Sequence, residues 1–175
     1  YEIADLYRTK GVTVVMGGAQ VSFNVEQSLQ HCDAVVQGEA EGVWEQCLAD
    51  FEAGELRTIY KRETPFEYKT MPVPRWDLLD TGSVMAIGVQ VSRGCPFTCD
   101  FCLVRNMFGR CQRYRDVDDI IREVKSLPKS QISFVDDNLT GNKKYARELM
   151  AKLKPLKVWW MCQASIEVAF DDELL

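Results

Sequence analysis

SVMAIGVQVSRGCPFTCDFC, residues 83–102, decides how this chain is read. Its first half, SVMAIGVQVS, is an apolar, β-branched run of the kind that forms a strand. Its second half crowds Cys95, Cys99 and Cys102 into eight positions, and Cys111 follows nine residues later. A strand that runs straight into a cluster of thiols is the organising feature. The remaining cysteines are scattered. Cys32, Cys47 and Cys162 sit in apolar helix or strand patterns and read as small buried residues.

Downstream, strands and helices alternate. Asp116 stands as an N-cap with Asp119 three residues on, and Val117, Ile120, Ile121, Val124 and Leu127 give an amphipathic helix ended by Pro128. QISFV (131–135) is the next strand, stopped by Asp136-Asp137-Asn138. Residues 142–153 read as a helix with Tyr145, Leu149 and Leu153 inward, and KVWWMCQ (157–163) is the third strand. Upstream, VTVVM (12–16) and DAVVQ (33–37) are short strands closed by Gly17-Gly18 and Gly38, and LRTIY (56–60) reads as an edge strand. A helical end carries Ile3, Leu6 and Tyr7, a short helix lies around Val25–Gln30, and Val43, Trp44, Cys47, Leu48 and Phe51 mark one face of another. The whole chain is therefore α/β, with parallel sheets and crossover helices. The two halves, 1–60 and 84–175, flank a linker at 61–83 that contains Pro65, Pro72 and Pro74.

The 175 residues suffice for one domain or pieces of two. With 46% hydrophobic and 27% charged residues, the composition is that of a globular protein. No apolar run approaches the roughly 20 residues that span a bilayer. No signal peptide is visible, so the expected location is the cytoplasm, and seven cysteines there are reduced thiols rather than a disulfide framework. The chain opens without Met inside a helical pattern and stops at DDELL as another begins, which reads as an excerpt of a longer protein. The net charge is −5, all of it in residues 1–75, which argues against a nucleic-acid surface. Arg105, Arg110, Arg113 and Arg115 follow the cysteines. They read as a solvated loop or, alternatively, as a cationic wall for an anionic cofactor or substrate.

The cysteine spacing is C-x3-C-x2-C. Structural zinc normally takes two C-x2-C knuckles, or one knuckle with a histidine pair, whereas here the only histidine, His31, lies in the other half. Three thiolates suit a cubane iron–sulfur cluster with one iron left open for a ligand. The loop also falls at the carboxyl end of a strand, where α/β folds place reactive groups.

VQVSRGCPFTCDFC, with Phe101 just before the last cysteine, resembles the radical S-adenosylmethionine (SAM) superfamily. The resemblance implies that Cys95, Cys99 and Cys102 bind a [4Fe-4S] cluster whose open iron takes the amino and carboxylate groups of SAM. It further implies reductive cleavage of SAM to methionine and a 5′-deoxyadenosyl radical. FVDDNLTGN (134–142) supports this. Asp136, Asp137 and Asn138 end the second strand on the same rim, where a carboxylate can hydrogen-bond the SAM ammonium. Asn138 or Asn142 can equally serve as a helix N-cap. Gln163, at the end of the third strand, is a further SAM candidate, and Phe101 reads as either an adenine neighbour or core packing. Cys111 lies outside the motif.

VVMGGAQVS…DAVVQGEAEGV is similar to the later part of the Rossmann-like cobalamin-binding domain found ahead of many such enzymes. Gly17 and Gly18 match the pair that lets backbone approach the cobalamin nucleotide tail. Gly38-Glu39-x-Glu41-Gly42 also has the family's form, and PVPRWDLLD resembles its interdomain segment. The D-x-H-x-x-G motif of some members is missing: Leu29 and Ala34 stand around His31 at the Asp and Gly positions, so His31 reads as a helix-end residue. The fold expected from the resemblance is the C-terminal part of that domain, then the first half of a partial (β/α)6 radical SAM barrel. The chemistry expected is cobalamin-dependent methyl transfer, radical rearrangement or cyclisation of a small-molecule substrate. An electron donor such as flavodoxin or ferredoxin would serve it. The alternatives are sulfur insertion of the methylthiotransferase kind without functional cobalamin, or a non-catalytic zinc module. The isolated 175 residues are expected to be inactive, with an unpaired edge strand.

Overall fold

The computed structural model describes residues 1–109 and 111–174. The chain divides between Phe66 and Glu67 into two compact units, each with its own three-stranded parallel sheet.

The first unit runs α1 (Glu2–Thr9), β1 (Val15–Gly17), α2 (Ala19–Phe23), α3 (Val25–Ser28), β2 (Ala34–Gln37), α4 (Trp44–Glu52) and β3 (Ile59–Lys61). Strand order is β1-β2-β3, with Val15 opposite Ala34 and Val36 opposite Tyr60. Ala34, Val35 and Val36 are buried in succession, so both faces of the central strand are covered. Ala34 and Val36 pack with Cys47 and Tyr60, whereas Val35 packs with Val21 and Cys32. Cys32 and Cys47 are thus core residues, as their patterns indicate.

Two local readings shift. The strand expected over residues 12–16 starts only at Val15, because Val14 is tied to Asp33, its amide donating to the carboxylate at 2.8 Å. The short helix expected around Val25–Gln30 is α3, which ends at Ser28, and a further short helix, α2, precedes it across Asn24. His31 does close a helical end: its Nδ1 lies 2.8 Å from Asp5 and its ring stacks on Tyr1 at 4.2 Å. The apolar stripes of α1 and α4 are formed but left open. Only Cys47 of α4 is buried, whereas Trp44, Leu48 and Phe51 are 43–50% exposed.

The second unit begins with 3-10 turns at Tyr68–Thr70 and Trp76–Leu78, then β4 (Ile87–Val89), β5 (Ser92–Arg93), α5 (Val104–Phe108), β6 (Arg113–Tyr114), α6 (Val117–Ser126), β7 (Gln131–Phe134), α7 (Lys143–Leu153) and β8 (Trp159–Cys162). Its main sheet is ordered β4-β7-β8. Ile87, Val89, Ile132 and Phe134 face one side and bury against Ile120, Ile121 and Val124 of α6 and Leu149 and Leu153 of α7. Asp116 caps α6 by accepting the Asp118 amide at 2.8 Å, and Asn142 caps α7 by accepting from Tyr145 at 3.2 Å. Leu127, just before Pro128, is extended and ends α6.

Residues 67–83 are folded into this unit. Trp76 and Leu79 pack on its core, and the Trp76 indole donates to Glu123 at 2.8 Å. The run expected as one strand over 83–92 breaks into β4 and β5. The parallel ladder stops because the Val91 and Ser92 amides donate to the Asp136 carboxylate instead of to a neighbouring strand.

Candidate functional site

β5 and β6 pair antiparallel, Ser92 with Tyr114 and Arg93 with Arg113, so the cysteines lie in a loop closed by a two-residue stem. Gly94 starts the loop at φ +93°, and a Cβ there would meet the Cys111 carbonyl oxygen at 3.0 Å. Both facts require glycine. Within the loop the Cys102 amide donates to the Cys99 carbonyl at 3.1 Å, forming a tight turn. All three thiols are free; Cys95 and Cys102 are half-buried and Cys99 is exposed. Among the described residues, no three His, Cys, Asp or Glu side chains are already grouped so as to hold a metal ion. The donor set still suits an iron–sulfur cluster, since it offers three free thiols on one stem-anchored loop whose sequence contains no histidine. Cys111 is exposed, and its backbone, rather than its thiol, is what Gly94 packs against.

The carboxyl ends of β4 and β7 point the same way, and residues 136–138 follow β7 on that rim. The three neighbours have different roles. Asp136 is 1% exposed and turned inward, accepting the Ser92 amide, the Ser92 hydroxyl at 2.6 Å and the Val91 amide at 3.2 Å. Burial pushes its carboxyl above the usual range, against the pull of those donors. Its oxygens are engaged by the β4–β5 backbone and the Ser92 hydroxyl, so Asp137 is the more open carboxylate of the two. Asn138 is also buried, and its Oδ1 accepts from Thr140 and, at 3.3 Å, from the Ser165 amide. Its Oδ1 thereby holds the rim turn, and the cap of α7 falls to Asn142. Asp137 is half-buried beside the cysteine loop and takes the Gly94 amide; burial raises its pKa and Arg93 partly offsets this. Gln163 is exposed at the end of β8. Phe101 is 90% exposed, so core packing is not its role.

Arg115 leaves the proposed cationic wall altogether. It is buried and pairs with Glu123 at 2.6 Å. Arg110 lies outside the described residues. Arg93, which the sequence did not single out, is buried with its guanidinium 4.9 Å from the Tyr68 ring and 5.5 Å from Phe108. Tyr145 reaches under the stem, donating to the Arg115 carbonyl at 2.9 Å, and its ring lies 4.4 Å from Tyr114. Burial pushes the Tyr114 phenol up to about 12. The alternation Gln112-Arg113-Tyr114 before the α6 cap was the available signal for this short strand. Cys162, on β8, is half-buried against the core, and burial raises its thiol pKa.

In the first unit Gly17 and Gly18 are exposed, and Gly18 has φ +91° with nothing within 4 Å of where a Cβ would stand. Ser22 ties this turn to the next one: its hydroxyl donates to the Gly18 carbonyl and accepts the Gly38 amide, both at 2.8 Å. The carboxyl ends of β1 and β2 are thereby held together. An open groove of about 410 Å³ adjoins them, lined by Ser22, Asn24, Glu26, Gln27 and Gln37 among others. The open space above Gly18 is compatible with a ligand lying on the backbone.

No protein-family model matches the chain. It is similar to two proteins of Chlorobaculum tepidum. One is bacteriochlorophyllide d C-8(2)-methyltransferase, 33% identical over 98% of this chain and 42% of that protein. The other is bacteriochlorophyllide d C-12(1)-methyltransferase, 29% identical over 95% of this chain and 39% of that protein. The chain thus spans about two fifths of the length of these relatives. Its fold matches the solved structure of the cobalamin-dependent S-adenosylmethionine radical enzyme OxsB with aqua-cobalamin and S-adenosylmethionine bound, with TM-score 0.66 and 20% identity, over 92% of this chain and 27% of that one. The chain is thus a relative of these methyltransferases and has the fold of part of a cobalamin-dependent S-adenosylmethionine radical enzyme, in agreement with what its cysteine loop resembles.

Proposed function

We propose that Cys95, Cys99 and Cys102 hold a [4Fe-4S] cluster and that this protein takes part in cobalamin-dependent radical SAM methyl transfer, or a related rearrangement or cyclisation, on a small-molecule substrate. The observation that carries the reading is three free thiols on one loop whose stem is fixed next to Asp137. When bound, the cluster would supply the electron that cleaves SAM, and cobalamin would supply a methyl group.

The chain's own residues hold and orient. The Gly94 turn, with its left-handed φ and close approach to the Cys111 backbone, starts the loop at its stem. Asp137 is placed to accept from the SAM ammonium, with Gln163 and Phe101 as further contacts on the rim, whereas Asp136 and Asn138 shape the backbone beneath them. Gly17 and Gly18 would lie under the cobalamin tail.

In this reading residues 1–60 are the later part of a Rossmann-like cobalamin domain, 61–83 the connection and 84–175 the first half of a (β/α)6 partial barrel. The first sheet, covered on both faces, and the second, covered on one, support that division. The location would be cytoplasmic with a flavodoxin or ferredoxin as electron donor; among the described residues no helix is long and apolar enough to cross a membrane. The 175 residues alone are expected to be inactive.

The test is anaerobic purification of the whole protein. About four iron and four sulfide per chain, with a band at ~400 nm, are expected from this ligation. Alanine at Cys95, Cys99 or Cys102 should abolish them, and Cys111→Ala should not. One zinc and no colour would overturn the proposal. A cluster without retained cobalamin would move it to sulfur insertion.

A further inference from the structure

The cysteine loop and the rim turn after β7 are far apart in sequence, yet side chains bridge them: Asp137 takes the Gly94 amide at the start of the loop, and Gln112 reaches the rim turn from its end. Gln112 closes the loop just before β6. Its Nε2 donates to the Ser92 hydroxyl at 2.9 Å and to the Asn138 carbonyl at 2.9 Å, and its Oε1 accepts from the Tyr114 hydroxyl. The Ser92 hydroxyl donates in turn to buried Asp136 at 2.6 Å. Both protons and the oxygen of one amide are therefore used, the protons on two distant segments and the oxygen on nearby Tyr114 of β6. The contact is close as well as polar. A Cβ on Gly141 would stand 2.7 Å from Gln112 Oε1 and 3.0 Å from Pro96 Cδ, so the rim turn abuts the cysteine loop itself. A connected, half-buried network of this kind fixes geometry because leaving any member unpaired is costly.

We propose that Gln112 is a positioning residue: its amide clasps the stem of the cysteine loop to the turn after β7, and so sets the spacing between the three cysteines and Asp137. The clasp belongs to the folded chain and exists before any cluster is loaded. Its consequence for SAM rests on the ligation proposed above.

Two readouts separate the parts. In the cluster-free whole protein, Gln112→Leu should speed hydrogen exchange at the stem amides of Ser92 and Arg115 at least tenfold, while the β7 amides of Ile132 and Phe134 stay as in the parent. Ser92→Ala, a milder cut in the same network, should give a smaller change in the same amides. In the anaerobically reconstituted protein, Gln112→Leu should keep its iron and sulfide yet bind SAM about tenfold more weakly by equilibrium dialysis. Asp137→Asn should weaken SAM similarly, and the double variant should be no worse than either single one, because both act through one spacing.

Unchanged stem exchange in both variants would overturn the clasp. Additive losses of SAM affinity, or iron lost in step with SAM binding, would overturn the positioning role. A parent protein that loads no iron would sink the ligation, while the exchange comparison would still decide whether Gln112 is a clasp.

Discussion

The two parallel sheets have the same number of strands and different surroundings. In the first unit Ala34, Val35 and Val36 are all buried, so helices or loops cover the central strand on both sides. In the second, Ile132 and Phe134 are buried and Ser133 between them is not; Ile87 and Val89 flank an exposed Gly88. There α6 and α7 cover one face, and the other shows Gly88, Ser133 and Met161. In the central strands β2 and β7 period and burial agree: the continuous apolar run is covered twice and the alternating one once, whereas β8 is apolar throughout and still alternates in burial. The helices differ in the opposite sense. α6 buries Val117, Ile120, Ile121, Glu123 and Val124, whereas α1 buries none of its residues. An apolar stripe thus shows what a helix is able to cover, and burial shows what it does cover.

The second unit is also the one that buries charge, and this gives the largest predicted effect. Glu123 pairs with Arg115 at 2.6 Å, with side-chain exposures of 1% and 4%, and accepts the Trp76 indole; Arg115 also donates to the Gln90 carbonyl at 3.0 Å. Glu123→Ala leaves a buried guanidinium without its counter-charge, which costs about 3–5 kcal/mol. Denaturant unfolding of the second unit should show that loss. Replacing both partners with apolar residues of similar size should recover most of it, since the desolvation of both charges is then removed as well. A loss under about 1 kcal/mol for Glu123→Ala would mean that water reaches the pair, and the contrast in burial would fail.

Acid should act on the two units with opposite sign. Asp50, in the first, accepts from Gln46, from Arg57 at 2.8 Å and from Tyr60 at 2.9 Å; these hydrogen bonds, Gln46 and Arg57 foremost, hold its carboxyl below the usual range. Its contribution is present above the unfolded value of about 4 and is lost as pH falls through the folded value. Burial places Asp136 above the usual range. Its contribution is full below about pH 4 and is lost as pH rises through the raised folded value. Denaturation midpoints followed against pH should therefore diverge. Relative to the parent, Asp50→Asn flattens the curve below about pH 4, and Asp136→Asn removes a gain that otherwise appears on acidifying from neutral toward pH 4. Parallel curves for the two variants would break the comparison.

What the sequence discloses follows from the range of the interaction. Helix periods, the Asp116 cap, the break before Pro128 and the β7 strand are set within a few residues, and all stand where the pattern puts them. The cysteine loop is legible for the same reason. The stem that holds it is not, because β5 and β6 are two residues each and are defined by partners about 20 positions away. Asp136, Asp137 and Asn138 look alike in sequence; long-range donors separate them, Ser92 for Asp136, Gly94 for Asp137 and Ser165 for Asn138. Arg115 reads as a loop or wall arginine and Glu123 carries no local signal; the two meet only in three dimensions. Trp76 likewise turns a proline-rich stretch into part of a core.

The smallest effect is expected where a stripe is exposed. Phe51 is 50% exposed and Leu48 44%, on a helix that buries only Cys47. Phe51→Ser should change the unfolding free energy of the isolated 175 residues by no more than about 0.5 kcal/mol, as for surface sites in general. Leu149, fully buried on α7, gives the scale, since Leu149→Ala should cost about 2–5 kcal/mol. The informative experiment repeats Phe51→Ser in the whole protein. An unchanged small cost there would mean that the α4 face stays in water. A cost near that of a core truncation would mean that it is covered when the rest of the protein is present. In that case the open stripe of the first unit and the closed stripe of the second would differ only in which part of the protein supplies the cover, and the helical pattern of Val43, Trp44, Cys47, Leu48 and Phe51 would be a true reading of an interior.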